Sequence, residues 1–172
     1  TPGKDSILIL PPTYGAYRVF ADINDVEVEE LPLLPSFEID LPALERFLSK
    51  ERDERSEGRL KLLFLCSPNN PTGNSYSLET IEAVLKIFDG LVVLDEAYYD
   101  FSEGESGVTL LSKYDHLVVL RTLSKAWGLA SARVGIAVGS REMVEVINKI
   151  KYPYNLGTPS QALALKALEN AD

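Results

Sequence analysis

The chain has 172 residues, 45% of them hydrophobic, which is enough for one domain with a proper core and excludes a disordered or fibrous chain. Its 26 acidic residues outnumber 17 basic ones, and the net charge of -9 argues against nucleic acid as a partner, so any anionic ligand must be held by local donors. One cysteine, Cys66, excludes an internal disulfide, one histidine, His116, leaves no recognisable metal-ligand spacing, and no apolar run approaches membrane-spanning length. The opening "TPGKDS" has neither a charged n-region nor an apolar h-region, so a soluble, cytoplasmic protein is expected.

In chain order, "SILIL" (6–10) and "VEVEEL" (26–31) are the first predicted strands. "LPALERFLSKERDE" then places apolar residues at helical spacing, and the stretch "SKERDERSEGR" (49–59), mixed in sign and flanked by Ser and Gly, reads as a helix end and solvated loop. A strand, "LKLLFLC" (60–66), a helix, "LETIEAVLKIF", and three strands, "LVVLD" (91–95), "HLVVL" (116–120) and "VGIAVG" (134–139), follow before the helical "REMVEVINKIK". Several of these runs are almost continuously apolar, the pattern of strands covered on both faces. The alternation predicts an α/β fold with a mostly parallel sheet.

Ligands of such a sheet bind beyond the carboxyl ends of its strands. Four clusters of polar, Gly, Pro and aromatic residues fall there: "PPTYGAY" after the first strand, "SPNNPTG" after the third, "DEAYYDF" at the end of the fourth and "RTLSKAWG" after the fifth. In "SPNNPTG" the prolines, glycine and asparagines satisfy a tight turn by themselves, and they equally offer an amide donor to a ligand oxygen. Asp95, placed directly after "LVVL", is expensive to bury unpaired and is expected to have a cationic partner; a helix cap or structural salt bridge would satisfy it as well. Tyr98 either packs or directs its hydroxyl to a partner.

Lys125 is the decisive residue. At the mouth of an apolar sheet a lysine becomes a nucleophile if desolvation or a nearby cation lowers its pKa, and Arg133 is such a cation. Thr122, Ser124 and Arg133 supply two hydroxyls and a guanidinium, groups that bind phosphate. An imine-forming lysine beside an anion site describes pyridoxal phosphate, although an ordinary exposed lysine in a strand-to-helix loop is the commoner situation.

Taken in order and with these gaps, "SPNNPTG", "DEAYYDF" and "TLSKAWGLASARVG" resemble the signature of the pyridoxal-phosphate-dependent class I/II aminotransferases. With "PPTYGAY" and "KYPYNLGTPSQALALKAL" the chain is most similar to the histidinol-phosphate branch of that family, along nearly its whole length and least through residues 32–59. The resemblance implies the large domain of fold-type I transferases, a three-layer α/β/α arrangement with "RVGIAVG" as an antiparallel strand. It implies amino-group transfer between histidinol phosphate and 2-oxoglutarate, with imidazole acetol phosphate and glutamate as the other pair, in histidine biosynthesis and in a homodimer. Residue by residue, Lys125 matches the lysine that bonds the cofactor and shuttles the proton, Asp95 the carboxylate that pairs with the pyridinium nitrogen, and Tyr14 the aromatic that stacks on the ring. Asn70 and Tyr98 match the donors to the ring oxygen, and Thr122, Ser124 and Arg133 the phosphate cup.

Two departures from the family pattern stand out. Trp127 occupies a position where phenylalanine is usual. The family's upstream glycine-containing loop and its downstream small domain, with the arginine for the substrate carboxylate, have no counterpart in the sequence. Residues 1–172 are therefore expected to be a partial cofactor-binding large domain, inactive alone, of a larger enzyme. The rivals are an aromatic aminotransferase or amino-acid decarboxylase of the same cofactor fold, disfavoured by "PPTYGAY" and "KYPYN", and a non-catalytic cofactor- or partner-binding domain, disfavoured by the joint presence of Lys125 and Asp95. His116 is expected to be solvated or capping and Cys66 to act as a small hydrophobe, while Tyr17 either lines the site or packs on a helix.

Overall fold

The structure, a computed structural model, describes residues 2–54 and 60–171, and the side chains of all of these except 52–54. The apolar runs become strands β1 (Ser6–Ile9), β2 (Glu27–Glu30), β3 (Leu60–Cys66), β4 (Leu91–Asp95), β5 (Leu117–Thr122) and β6 (Gly135–Gly139). They form one sheet in the order β2-β1-β3-β4-β5-β6. All pairings are parallel except β5 with β6, which runs antiparallel from Val118 opposite Gly139 to Thr122 opposite Gly135, as the family resemblance implied.

Among the described residues three α-helices connect strands, α1 (Ala16–Ile23), α2 (Leu41–Glu54) and α3 (Leu78–Ile87), and two follow β6, α4 (Arg141–Ile150) and α5 (Thr158–Glu169). Side-chain caps start three of them. Asp40 accepts from the Ala43 amide before α2, Ser77 from the Thr80 amide before α3 and Ser140 from the Met143 amide before α4, each satisfying an N–H that the helix leaves open. Helix α1 was not predicted, because it starts inside the loop-like "PPTYGAY". Its one sequence signal is the pair Tyr17 and Ala21, four apart and both buried. Of the charged stretch 49–59, the first part belongs to α2, and residues 55–59 lie outside the described residues.

Alternation along the strands divides the core into layers. Leu8, Leu63, Leu65, Val92, Leu94, Leu117 and Val119 point to one face and pack with Leu44 and Leu48 of α2 and Ile81, Val84 and Leu85 of α3. Ile7, Ile9 and Cys66 point to the other face and meet Tyr17 and Ala21 of α1. This is the predicted three-layer α/β/α arrangement, and its two-sided burial explains why the strands read as unbroken apolar runs. From β1 the chain steps outward to β2, then returns past β1 to β3, so the direction of winding reverses between β1 and β3. Such a switch point opens a crevice at the carboxyl edge of the sheet.

A buried ion pair holds that edge together. Glu96, only 3% exposed, follows the last residue of β4; its Oε2 accepts from Arg121 Nε at 2.7 Å and from the Ser106 hydroxyl at 2.8 Å, and its Oε1 from the Gly107 amide at 2.7 Å. The Arg121 guanidinium also donates to the Ser106 hydroxyl and lies 3.6 Å above the centre of the Tyr99 ring. Glycine is required at 107, since a Cβ there would lie 2.2 Å from Leu94 Cδ2 in the packed core. Removing one partner of a buried pair strands the other charge. Arg121→Met is therefore expected to lower unfolding stability by ~2 kcal/mol or more in a urea titration, with part of the loss recovered by adding Glu96→Leu. An unchanged midpoint for Arg121→Met would show that the pair is dispensable.

Candidate active site at the carboxyl edge of the sheet

Every sequence-predicted site residue reaches one cavity of about 600 Å³ over the crevice. Its wall includes Tyr14, Asn70, Asp95, Tyr98, Thr122, Ser124, Lys125 and Arg133. Tyr14 precedes α1, Asn70 lies in the turn after β3, Asp95 is the last residue of β4, and Lys125 lies just beyond the end of β5. A neighbouring recess of about 630 Å³ shares Asn70 and Tyr98 and is also walled by Phe101.

The two asparagines of "SPNNPTG" divide the alternatives that composition left open. Asn69 is buried at 4% exposure and is used up by the turn: it donates to the Pro12 carbonyl and to Thr72 Oγ1, and accepts from the Thr13 hydroxyl. Asn70 lines the cavity. Asn74 ties the same turn to the Phe37 carbonyl. The loops after β1 and β3 are thus bound to each other before any ligand is considered.

Asp95 meets neutral protein groups, and the cation that the family resemblance pairs with it is the ring nitrogen of the cofactor. Among the described residues no cation pairs with it; the ion pair falls to its neighbour Glu96, because consecutive residues at a strand end point to opposite sides. The partners of Asp95 are neutral: the Ala97 amide donates to Oδ1 at 3.0 Å and the Tyr17 hydroxyl to Oδ2 at 2.7 Å. Tyr17, left open by the sequence, is buried at 4% exposure, stacks on Phe64 at 4.4 Å and meets the Tyr14 ring edge-on at 5.5 Å. Burial, then the charge of Asp95, push its phenol well above the usual tyrosine range, so it remains a donor.

Lys125 corrects the sequence reading. It is exposed rather than desolvated, and its Nζ lies 4.9 Å from the centre of the Tyr98 ring. The Tyr98 phenol is the largest influence on the ammonium and raises its pKa above the ordinary lysine value. The backbone beneath is a tight turn: Gly128 donates to the Lys125 carbonyl at 2.9 Å, at a φ of 66° that favours glycine.

At the other side of the cavity, Thr122 Oγ1 donates to the Val134 carbonyl and accepts from the Ser124 amide. Arg133 spends one donor on the Ala130 carbonyl and holds a left-handed backbone, φ 55°, an arrangement costly for a residue with a Cβ. Two hydroxyls and a guanidinium at one end, a carboxylate at another, an aromatic face and a lysine on the rim fit the phosphate, ring nitrogen, ring face and aldehyde of pyridoxal phosphate.

The remaining sequence readings resolve simply. Cys66 is buried at the end of β3, its thiol 3.4 Å from the Pro68 carbonyl and pushed up in pKa chiefly by burial. His116 is half-buried, with Nε2 3.1 Å from the carbonyl oxygen of Leu85 in the last turn of α3, the capping alternative. Trp127 packs against the cluster of Leu123, Ala132, Val134 and Ala164. Arg121 and Phe20 also line the cavity and were not singled out from the sequence; a basic residue directly before Thr122 was the available signal. Among the described residues no group of His, Cys, Asp and Glu is placed to hold a metal ion, and no helix is long and apolar enough to cross a membrane.

Comparison with known proteins identifies the family and the fold. Over 169 residues the chain is 49% identical to histidinol-phosphate aminotransferase of Cytophaga hutchinsonii, covering 98% of this chain and 46% of that protein. It is 46% identical to the enzyme of the same name from Christiangramia forsetii over 171 residues, 99% of this chain and 47% of that one. The fold matches the crystal structure of histidinol-phosphate aminotransferase from Sinorhizobium meliloti in complex with pyridoxal-5'-phosphate, with a TM-score of 0.86 at 22% identity over 99% of this chain and 45% of that chain. The chain thus spans about half the length of the curated relatives it matches. The family model for aminotransferases of class I and II matches residues 1–172 from end to end, and the chain belongs to that family.

Proposed function

We propose that the whole protein is a pyridoxal-phosphate-dependent aminotransferase of histidine biosynthesis, exchanging an amino group between histidinol phosphate and 2-oxoglutarate. The observation that carries this reading is the convergence of Lys125 and Asp95 on one cavity with an anion-binding end, in a chain 49% identical to a protein of that name. These residues form the cofactor-binding part of a large domain, and the protein works as a cytoplasmic homodimer. Exposed apolar side chains on α1 (Phe20 59%, Ile23 75%) and α5 (Leu165 62%) support burial of these faces in the whole protein.

Pyridoxal phosphate, when bound, supplies a conjugated ring that accepts the electron pair left as a substrate carbon loses its proton. The side chains do the rest. Thr122, Ser124 and Arg133 would hold the phosphate by charge-assisted hydrogen bonds, and Tyr14 would cover the ring face. Asp95 would set a negative charge against the ring nitrogen, and Asn70 and Tyr98 would donate to the ring oxygen. Lys125 would hold the aldehyde carbon until the substrate amine displaces it, and its freed Nζ would then take and return the substrate proton. Its raised pKa means that the amine must first yield a proton, and the Tyr98 hydroxyl beside it is the group best placed to share that proton.

Treating the full-length protein with pyridoxal phosphate and then borohydride should label the tryptic peptide that carries Lys125, as read by mass spectrometry; a label on a different lysine would remove the central assignment. Asp95→Asn keeps the size and one acceptor oxygen but deletes the charge. Because charge-assisted hydrogen bonds contribute about 1.5–3 kcal/mol, single-turnover amination of the bound cofactor should slow about ten- to a hundredfold at saturating pyridoxal phosphate. Equal rates at equal occupancy would reduce Asp95 to a structural acid.

A further inference from the structure

We infer that Tyr17 is a positioning residue for the reaction: its buried phenol fixes the orientation in which Asp95 presents its carboxylate to the cavity. The inference rests on the proposed cofactor site. The main chain of Asp95 is already fixed, paired to Cys66 on one side and Leu120 on the other. What remains free is rotation of the carboxyl group, and two donors at its two oxygens remove it: the Ala97 amide at Oδ1 and the Tyr17 hydroxyl at Oδ2. A 2.7 Å contact from a hydroxyl to a carboxylate is a strong, charge-assisted bond.

Tyr17 is built to make this bond in one place. It sits on α1, its ring lies within 8° of parallel to Phe64 and is closed off by the edge of Tyr14, and little of it reaches water. The phenol therefore cannot swing away without opening the layer between α1 and the sheet. Packing alone would be served equally by phenylalanine, whose ring would keep the same stack. The hydroxyl is the part that packing does not explain, and its partner is the one carboxylate on the cavity wall. Orientation matters because an ion facing a ligand through a misaligned hydrogen bond loses most of the interaction.

The test uses the full-length protein loaded with pyridoxal phosphate, in wild type, Tyr17→Phe, Asp95→Asn and the double variant. Both the dissociation constant of pyridoxal phosphate and the single-turnover amination rate are measured, together with the melting temperature. In the wild-type background Tyr17→Phe should slow amination about tenfold and weaken cofactor binding a few-fold. In the Asp95→Asn background it should change either quantity by less than about twofold, since the positioned charge is already gone. Tyr17→His, which keeps a ring N–H donor, should recover part of the loss, and Tyr17→Leu, which likewise lacks a donor, stands in for Tyr17→Phe if that variant does not fold. The same loss in both backgrounds would mark Tyr17 as a packing residue and overturn the inference, as would an unchanged rate and affinity for Tyr17→Phe in a wild type that binds the cofactor at Lys125. A wild type that binds no pyridoxal phosphate would instead take down the proposed function and this inference with it.

Discussion

The site exists because the parallel strands are buried on both faces and can expose polar side chains only at their ends. Between α1 on one side and α2 and α3 on the other, the side chains of β1 and β4 and of β3 beyond Lys61 are buried or half-buried, and a charge placed among them would be stranded in the core. Polar chemistry is thereby pushed to the carboxyl edge. The reversal of winding between β1 and β3 parts the loops there and leaves room for a ligand. One constraint gives both the insulation and the opening.

At that edge the chain separates structural from chemical polarity by position. Glu96 turns inward to Arg121, Ser106 and the Gly107 amide and is buried, while Asp95, one residue earlier, faces the cavity with only neutral donors around it. The pair of asparagines in the turn after β3 divides in the same way, Asn69 inward and Asn70 toward the cavity. A carboxylate already neutralised by an arginine would have little left to offer a ligand cation. Placing the arginine on the neighbouring acid leaves the charge of Asp95 available.

Much of this was legible in the sequence because burial writes itself into composition. The unbroken runs at 60–66 and 91–95 could only be strands closed on both faces, and their boundaries agree with β3 and β4. Short-range pattern says nothing of direction, so the antiparallel course of β6 came from family resemblance alone. Helix α1 was hidden because its first turn shares residues with a loop signal. The protein partners of Asp95 and the exposure of Lys125 were not legible for a common reason: both depend on contacts between residues far apart in sequence, such as the 78-residue separation between Tyr17 and Asp95. Composition names the charged groups; only the fold decides which of them meet.

Arg133 carries a consequence for how this protein can evolve or be engineered. Its backbone sits in the left-handed region, where glycine relaxes a conformational penalty of roughly 1–2 kcal/mol that any side chain with a Cβ must bear. A screen for thermal tolerance would thus favour glycine at this position. A screen for anion capture would reject it, because the guanidinium would disappear. If Arg133 holds the phosphate as proposed, robustness and ligand retention pull this one position in opposite directions, and variants enriched for heat resistance alone should drift toward a more durable scaffold with a weaker grip on its anion.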